Sequence, residues 1–259
     1  VRLDLATVLI QWAAGGLAFL WVTSRGRVVG IGYGWLLRST YAVLAAGGVV
    51  AGVADADTGV AAALRDGFGA AMAVAALVVL VVSVVVRRRG LAGPGAFPPA
   101  LDLIAPALGV VAVVAAGVAA GGHDALAVAR VVVGAAFLGV ITDAMLLGHW
   151  YLVQPGLARD PIVELVRGAG WITPVLIVLL LVPPGMGAVL TGTVDDGWGG
   201  LLGWMWVCFA LATVGLVLAA RAALREPSYS AVMATTGLLY LAILTAFGTD
   251  VMARAVLAP

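Results

Sequence analysis

An aspartate inside an apolar run, and a histidine six residues beyond it, are the side chains of this sequence best placed to do chemistry. Asp143 and His149 both lie in the apolar run 126–153. A charge in hydrocarbon costs from about 2.5 kcal/mol upward, so a carboxyl there needs a partner or a role. At a helical rise of 1.5 Å, Asp143 is about 15 Å from the inner end of its span at Val153, and His149 about 6 Å from it. Six positions at about 100° each set the two about 120° apart around the axis, so they do not share a face. The counter-charges expected for Asp143 are Arg38 and Arg167, each several residues inside a neighbouring run and long enough to reach further. The expectation is an intramembrane polar cluster of Asp143, Arg38, Arg167 and Tyr41, with His149 nearby. The competing expectation is that Asp143 only locks helices together while the arginines extend to the headgroups.

The string Gly148-His149-Trp150-Tyr151, followed by Gln154-Pro155-Gly156, is the most distinctive in the chain. It suits a quinone headgroup, because the His149 imidazole and the Tyr151 phenol can hydrogen-bond a carbonyl oxygen while Trp150 packs on the ring. The same string also reads as an interfacial aromatic belt. Haem is disfavoured: the only other histidine, His123, belongs to a loop at the opposite membrane face. Two histidines and one cysteine, Cys208, give no metal site. All 14 basic residues are arginine, so no lysine is present to form a Schiff base. No Walker, His-Glu-x-x-His, Cys-x-x-Cys or Gly-x-Ser-x-Gly motif occurs, which argues against independent catalysis. Gln11 is expected to hydrogen-bond a neighbouring helix, and Asp250 and Arg254, four apart, to pair at the outer interface.

Positioning these residues is a task for membrane helices. With 63% hydrophobic and 10% charged residues and a mean hydropathy of +1.15, the chain cannot cover itself with a wetted surface. Its 14 basic and 13 acidic side chains leave no basic excess for nucleic acid. Eight apolar runs of bilayer-spanning length appear, at 5–23, 31–53, 67–86, 101–120, 126–153, 162–182, 200–220 and 229–247, the last extending toward 257. The first is expected as a retained helix and not a signal, because Trp21 and Arg25 close it with no small-residue cleavage site behind them. Ten arginines fall at one set of loop ends. Arg2, Arg65, Arg130 and Arg254 fall at the other, together with most of the aspartates. The arginine rule therefore places both termini outside. Trp21, Trp35, Trp150 and Tyr151 are expected in the inner aromatic belt, and Trp198, Trp204 and Trp206 in the outer one.

The fold class is thus all-α, a polytopic integral membrane helix bundle of about eight transmembrane helices forming one domain over 1–259. Leu36-Leu37-Arg38 echoes Leu165-Val166-Arg167, which admits a four-plus-four parallel repeat. In topology alone the chain resembles the quinone-binding anchor subunits of bacterial molybdoenzymes. The expected function is a membrane subunit of a larger redox or energy-converting complex that contacts a quinone near the cytoplasmic leaflet, with membrane lipids and other subunits as partners and a prokaryotic cytoplasmic membrane as its location. The alternatives are a proton-coupled or small-solute transporter and a non-catalytic scaffold. Pro106, Pro174 and Pro183-Pro184 are too sparse and too near the span ends to announce the broken helices of a transporter.

Overall fold

A computed structural model describes residues 4–55, 59–90, 97–121, 124–183 and 185–257; Arg2, Asp57 and His123 lie outside them. Surrounded by acyl chains, a backbone must satisfy its own hydrogen bonds, and each apolar run does so as a helix. The helices are α1 (Leu5–Ser24), α2 (Ile31–Ala54), α3 (Val60–Arg88), α4 (Ile104–Gly121), α5 (Ala125–Trp150), α6 (Asp160–Leu181), α7 (Met186–Leu190), α8 (Leu201–Ala223) and α9 (Tyr229–Leu257). A 3-10 turn, Pro99–Leu103, leads into α4. Eight of these segments, all but α7, are long and apolar enough to cross a membrane, α4 together with its leading turn. The protein is a multi-pass helix bundle. The start of α1 and the end of α9 reach the same face, where Asp4 before α1 and Arg254 near the end of α9 line one cavity.

One boundary differs clearly from the sequence expectation. Helix α3 begins at Val60, a full two turns before the expected apolar run, and so carries Arg65 and Asp66 inside it. The charges are tolerated because they are paired on the spot: Arg65 Nε donates to Asp66 Oδ1 at 2.8 Å and Nη1 to Asp4 Oδ2 at 3.2 Å.

The eight spans close into two rings of four. Helix α1 packs on α2, α2 on α3, α3 on α4 and α4 on α1, while α5, α6, α8 and α9 repeat the same circuit. The rings meet where α1 and α4 pack on α5; α1 and α5 enter from the same face. Between these two the backbones touch: a Cβ on Gly139 would run into the Gly15 backbone, and one on Gly15 into the Ala135 carbonyl. Small residues are what allow membrane helices to approach so closely, since lipid tails supply no hydrophobic drive. The arrangement fits a four-plus-four plan. The echoed arginines nonetheless sit in opposite environments, Arg38 buried and Arg167 exposed.

Large apolar side chains such as Val43, Leu211 and Leu244 cover the outside of the bundle, as a lipid-facing surface requires. The aromatic belts are only partly as expected. Trp198 and Trp204 are exposed, but Trp206 is buried and donates its indole N–H to the Thr249 carbonyl at 3.0 Å. Tyr151 is likewise buried, its hydroxyl on the Ala158 carbonyl at 2.6 Å. Both correct the belt assignment, because a polar tip that finds a protein partner has no need of the headgroups.

The long link before α8 is organised by Asp196. Its carboxylate accepts the amides of Gly200 at 2.8 Å and of Trp198 and Leu202 at 2.9 Å each. These amides, Gly200 first, hold the carboxyl below its ordinary range.

Two predictions follow from these contacts. Gly15→Ala and Gly139→Ala should each destabilise the bundle by about 1–3 kcal/mol, read as a lowered unfolding temperature in detergent. Gly237→Ala, where an added Cβ meets open space, should be neutral. A carboxyl held low in the folded state contributes stability above its unfolded value and loses it as pH falls. Hydrogen-exchange protection of the Trp198, Gly200 and Leu202 amides should therefore persist at neutral pH and vanish below about pH 4, whereas Asp196→Asn should show weak protection throughout.

Candidate functional site

The polar side chains of the interior are distributed along α1, a helix of the first ring that packs on α5 of the second. Near the outer face, Gln11 Nε2 donates to Asp250 Oδ2 of α9 at 2.5 Å. Arg254, one turn beyond on α9, clamps the same carboxylate, Nε to Oδ2 at 2.8 Å and Nη2 to Oδ1 at 3.2 Å. The expected Asp250–Arg254 pair therefore forms, but around a carboxyl that is fully buried. Gly134 on α5 leaves the room for it, since a Cβ there would come within 2.6 Å of both Asp250 Oδ1 and Arg254 Nη2.

One residue further along α1, the Trp12 indole N–H donates to Thr142 Oγ1 of α5 at 2.9 Å. Its ring meets Phe247 of α9 edge-on, 4.5 Å between centroids. Beyond it lies Asp143. The Tyr41 hydroxyl of α2 donates to Asp143 Oδ1, and the Tyr33 hydroxyl to the Asp143 backbone carbonyl at 3.1 Å. All three residues are almost wholly buried. Gly16 supplies the seat for Tyr41, because a Cβ there would enter the phenol ring. Asp143 Oδ2 has no hydrogen-bond partner, and the carboxyl has no cation beside it among the described residues.

Arg38, expected as that cation, is engaged elsewhere. Its Nε and Nη2 reach Asp102 Oδ1 and Oδ2 at 2.8 and 2.9 Å, a fork-on-fork pair with both side chains buried. Ser24 adds a hydrogen bond to Asp102 Oδ2 at 2.9 Å, and the Phe97 ring lies 4.9 Å under the guanidinium. The reason lies in side-chain direction. Helical side chains lean toward the N-terminus of their own helix. Arg38 on α2 therefore leans toward the arginine-rich face, whereas Asp143 on α5, a helix of opposite sense, leans away from it. Tyr41, one turn further along α2, leans back to meet the carboxyl.

Arg167 is no part of this cluster either. It is exposed in a groove between α6 and α8. The histidine string is likewise dispersed by the turn of the helix. His149 is exposed on the outside of the bundle, its ring perpendicular to that of Tyr240 on α9 with centroids 6.5 Å apart. Trp150 points to the other side, its N–H on Gln154 Oε1 at 3.1 Å and its ring 5.9 Å from Tyr33. The Tyr151 hydroxyl is committed to Ala158, and burial pushes that phenol up to about 12. The three residues do not converge on one ligand. The expected placement of His123 lies outside the described residues.

Asp102, Tyr33 and Tyr240 were not singled out by sequence reasoning. For Asp102 the signal was present: it is an acid in the second position of the run 101–120, the same kind of exception as Asp143. At the outer face a cavity of about 200 Å³ is lined by Thr7, Arg65, Arg130, Val131 and Arg254, the arginine that holds Asp250. Among the described residues, no three His, Cys, Asp or Glu side chains gather to hold a metal ion. Comparisons with protein-family models, with curated proteins and with solved structures find no match.

Removing one partner from a buried ion pair leaves an uncompensated charge. Arg38→Gln should therefore destabilise the bundle by about 3–5 kcal/mol, measured by denaturant unfolding in detergent. The double variant Arg38→Met/Asp102→Leu should recover most of that loss.

Proposed function

We propose that the chain is a proton-handling membrane subunit of a larger redox or energy-converting complex, with Asp143 as the group that takes up and releases the proton. One observation carries this reading: Asp143 is fully buried, bears a phenol donor on one oxygen, and among the described residues has no partner on the other and no cation beside it. An isolated charge in hydrocarbon is costly, and ionisable side chains kept at such depth serve relays more readily than packing. Tyr41 is the adjoining donor. In this reading the arginine-rich loop ends face the cytoplasm of a prokaryotic cell, which puts the carboxyl in the inner half of the membrane and both termini outside.

A quinone is the redox partner we propose, at His149 and Tyr240. The support is their perpendicular ring pair on the lipid-facing side of α5 and α9, where a headgroup arriving within the bilayer meets an imidazole and a phenol together. A second reading, a proton-coupled carrier, draws on the outer cavity and the buried Gln11–Asp250–Arg254 cluster, which shares Arg254 with it.

Infrared difference spectra of the reconstituted protein, recorded across a pH titration, test the proposal. A carboxylic-acid C=O band should appear and disappear with pH in the wild type and be missing in Asp143→Asn, which keeps an acceptor for Tyr41 and so keeps the fold. Quinone retained through purification should fall at least tenfold in His149→Ala. An identical spectrum in Asp143→Asn would remove the proton role. Unchanged retention in His149→Ala would remove the quinone site. Proton uptake by protein vesicles without a redox partner would favour the carrier.

A further inference from the structure

At the arginine-rich face, α6 and α8 enclose a groove of about 200 Å³ lined by Val163, Val166, Arg167, Arg221, Leu224 and Arg225. Helix direction brings its charges together. Arg167 on α6 leans toward the arginine-rich face and Arg221 on α8 leans away from it, so the two approach one space from opposite levels. Arg225 closes the mouth just after α8. None of the three makes a side-chain hydrogen bond or ion pair with the described residues. The nearest acid on the same turn of α6, Glu164, is taken by Arg25. Arg159 shares the neighbourhood: its Nη2 holds the Leu224 carbonyl at 2.9 Å, while its Nε is buried without a partner.

The other end of the bundle is built differently. There Arg65 is paired with Asp66 and Asp4, and Arg254 with Asp250. Three guanidinium groups sharing one cavity without an acid repel each other, and at the edge of a bilayer that repulsion is screened less than in water. An anion relieves it. Phosphate oxygens match the planar fork of arginine, and basic pockets between transmembrane helices on the inner side are suited to headgroups. The walls contributed by Val163, Val166 and Leu224 are apolar, which suits acyl chains below the phosphate.

We propose that the α6–α8 groove binds a phosphate group, carried by the headgroup of an acidic phospholipid. The proposal is independent of the proton role of Asp143. It is tested by native mass spectrometry and thermal unfolding in three preparations: phosphatidylcholine nanodiscs, the same discs containing phosphatidylglycerol, and phosphatidylcholine discs with inorganic phosphate added. The wild type should retain phosphatidylglycerol through delipidation and unfold at a higher temperature in its presence. Arg167→Gln/Arg221→Gln/Arg225→Gln should retain at least tenfold less, and Arg221→Gln alone should show a partial loss. Arg87→Gln/Arg88→Gln/Arg89→Gln removes the same charge from the end of α3 and should leave retention unchanged. Equal loss in both triple variants would reduce the effect to general surface charge and overturn the site. Equal stabilisation by inorganic phosphate would overturn the lipid as its source, and no preference for phosphatidylglycerol would overturn the proposal outright.

Discussion

The backbone contact between α1 and α5 at Gly15 and Gly139 governs the interior of this bundle. Because no side chain separates the two helices there, the rings of four meet in backbone contact at this crossing, with α4 packing on α5 beside it. Residues on either side of the glycines are thereby brought within reach of one another. Gln11 reaches α9, Trp12 reaches α5, and the Tyr41 phenol of α2 passes over Gly16 to reach Asp143. The glycines set how far apart the helices stand, and that spacing selects the polar contacts.

Helix sense then decides which polar groups pair. In an up-and-down bundle, side chains on adjacent antiparallel helices lean in opposite directions. Residues that start at the same depth can therefore diverge, as Arg38 and Asp143 do, and residues that start a turn apart can meet, as Tyr41 and Asp143 do. The same geometry concentrates Arg167 and Arg221 in one groove. Two arginines that open with a similar tripeptide thus differ in kind: Arg38 is locked to Asp102 by two hydrogen bonds, and Arg167 faces outward.

The fold was legible because it rests on composition and punctuation. Apolar runs broken by arginine, glycine and proline leave little choice in lipid, and seven of the eight spans start within about one turn of the sequence boundaries. The exception, α3, starts early because Arg65 finds Asp66 and Asp4, a tertiary pairing that no hydropathy count contains. The polar interior was less legible. Asp143 and Tyr41 could be found as chemical exceptions in an apolar background, but pairing Arg38 with Asp102 and not Asp143 requires the sense and rotation of three helices at once. His149, Trp150 and Tyr151 are neighbours in sequence and point three different ways, which adjacency on a helix guarantees and a motif conceals.

The Trp12 indole, fastened to Thr142 and abutting Phe247, lies between the outer carboxyl of Asp250 and the inner one of Asp143. Its ring stands between two buried polar clusters, Gln11 with Asp250 and Arg254 on one side and Tyr41 with Asp143 on the other. Among the described residues, no hydrogen bond joins the Asp250 cluster to Asp143 past the ring. A bilayer that stores energy as an ion gradient depends on such breaks, because an unbroken wire of polar groups through any one of its proteins would short-circuit it.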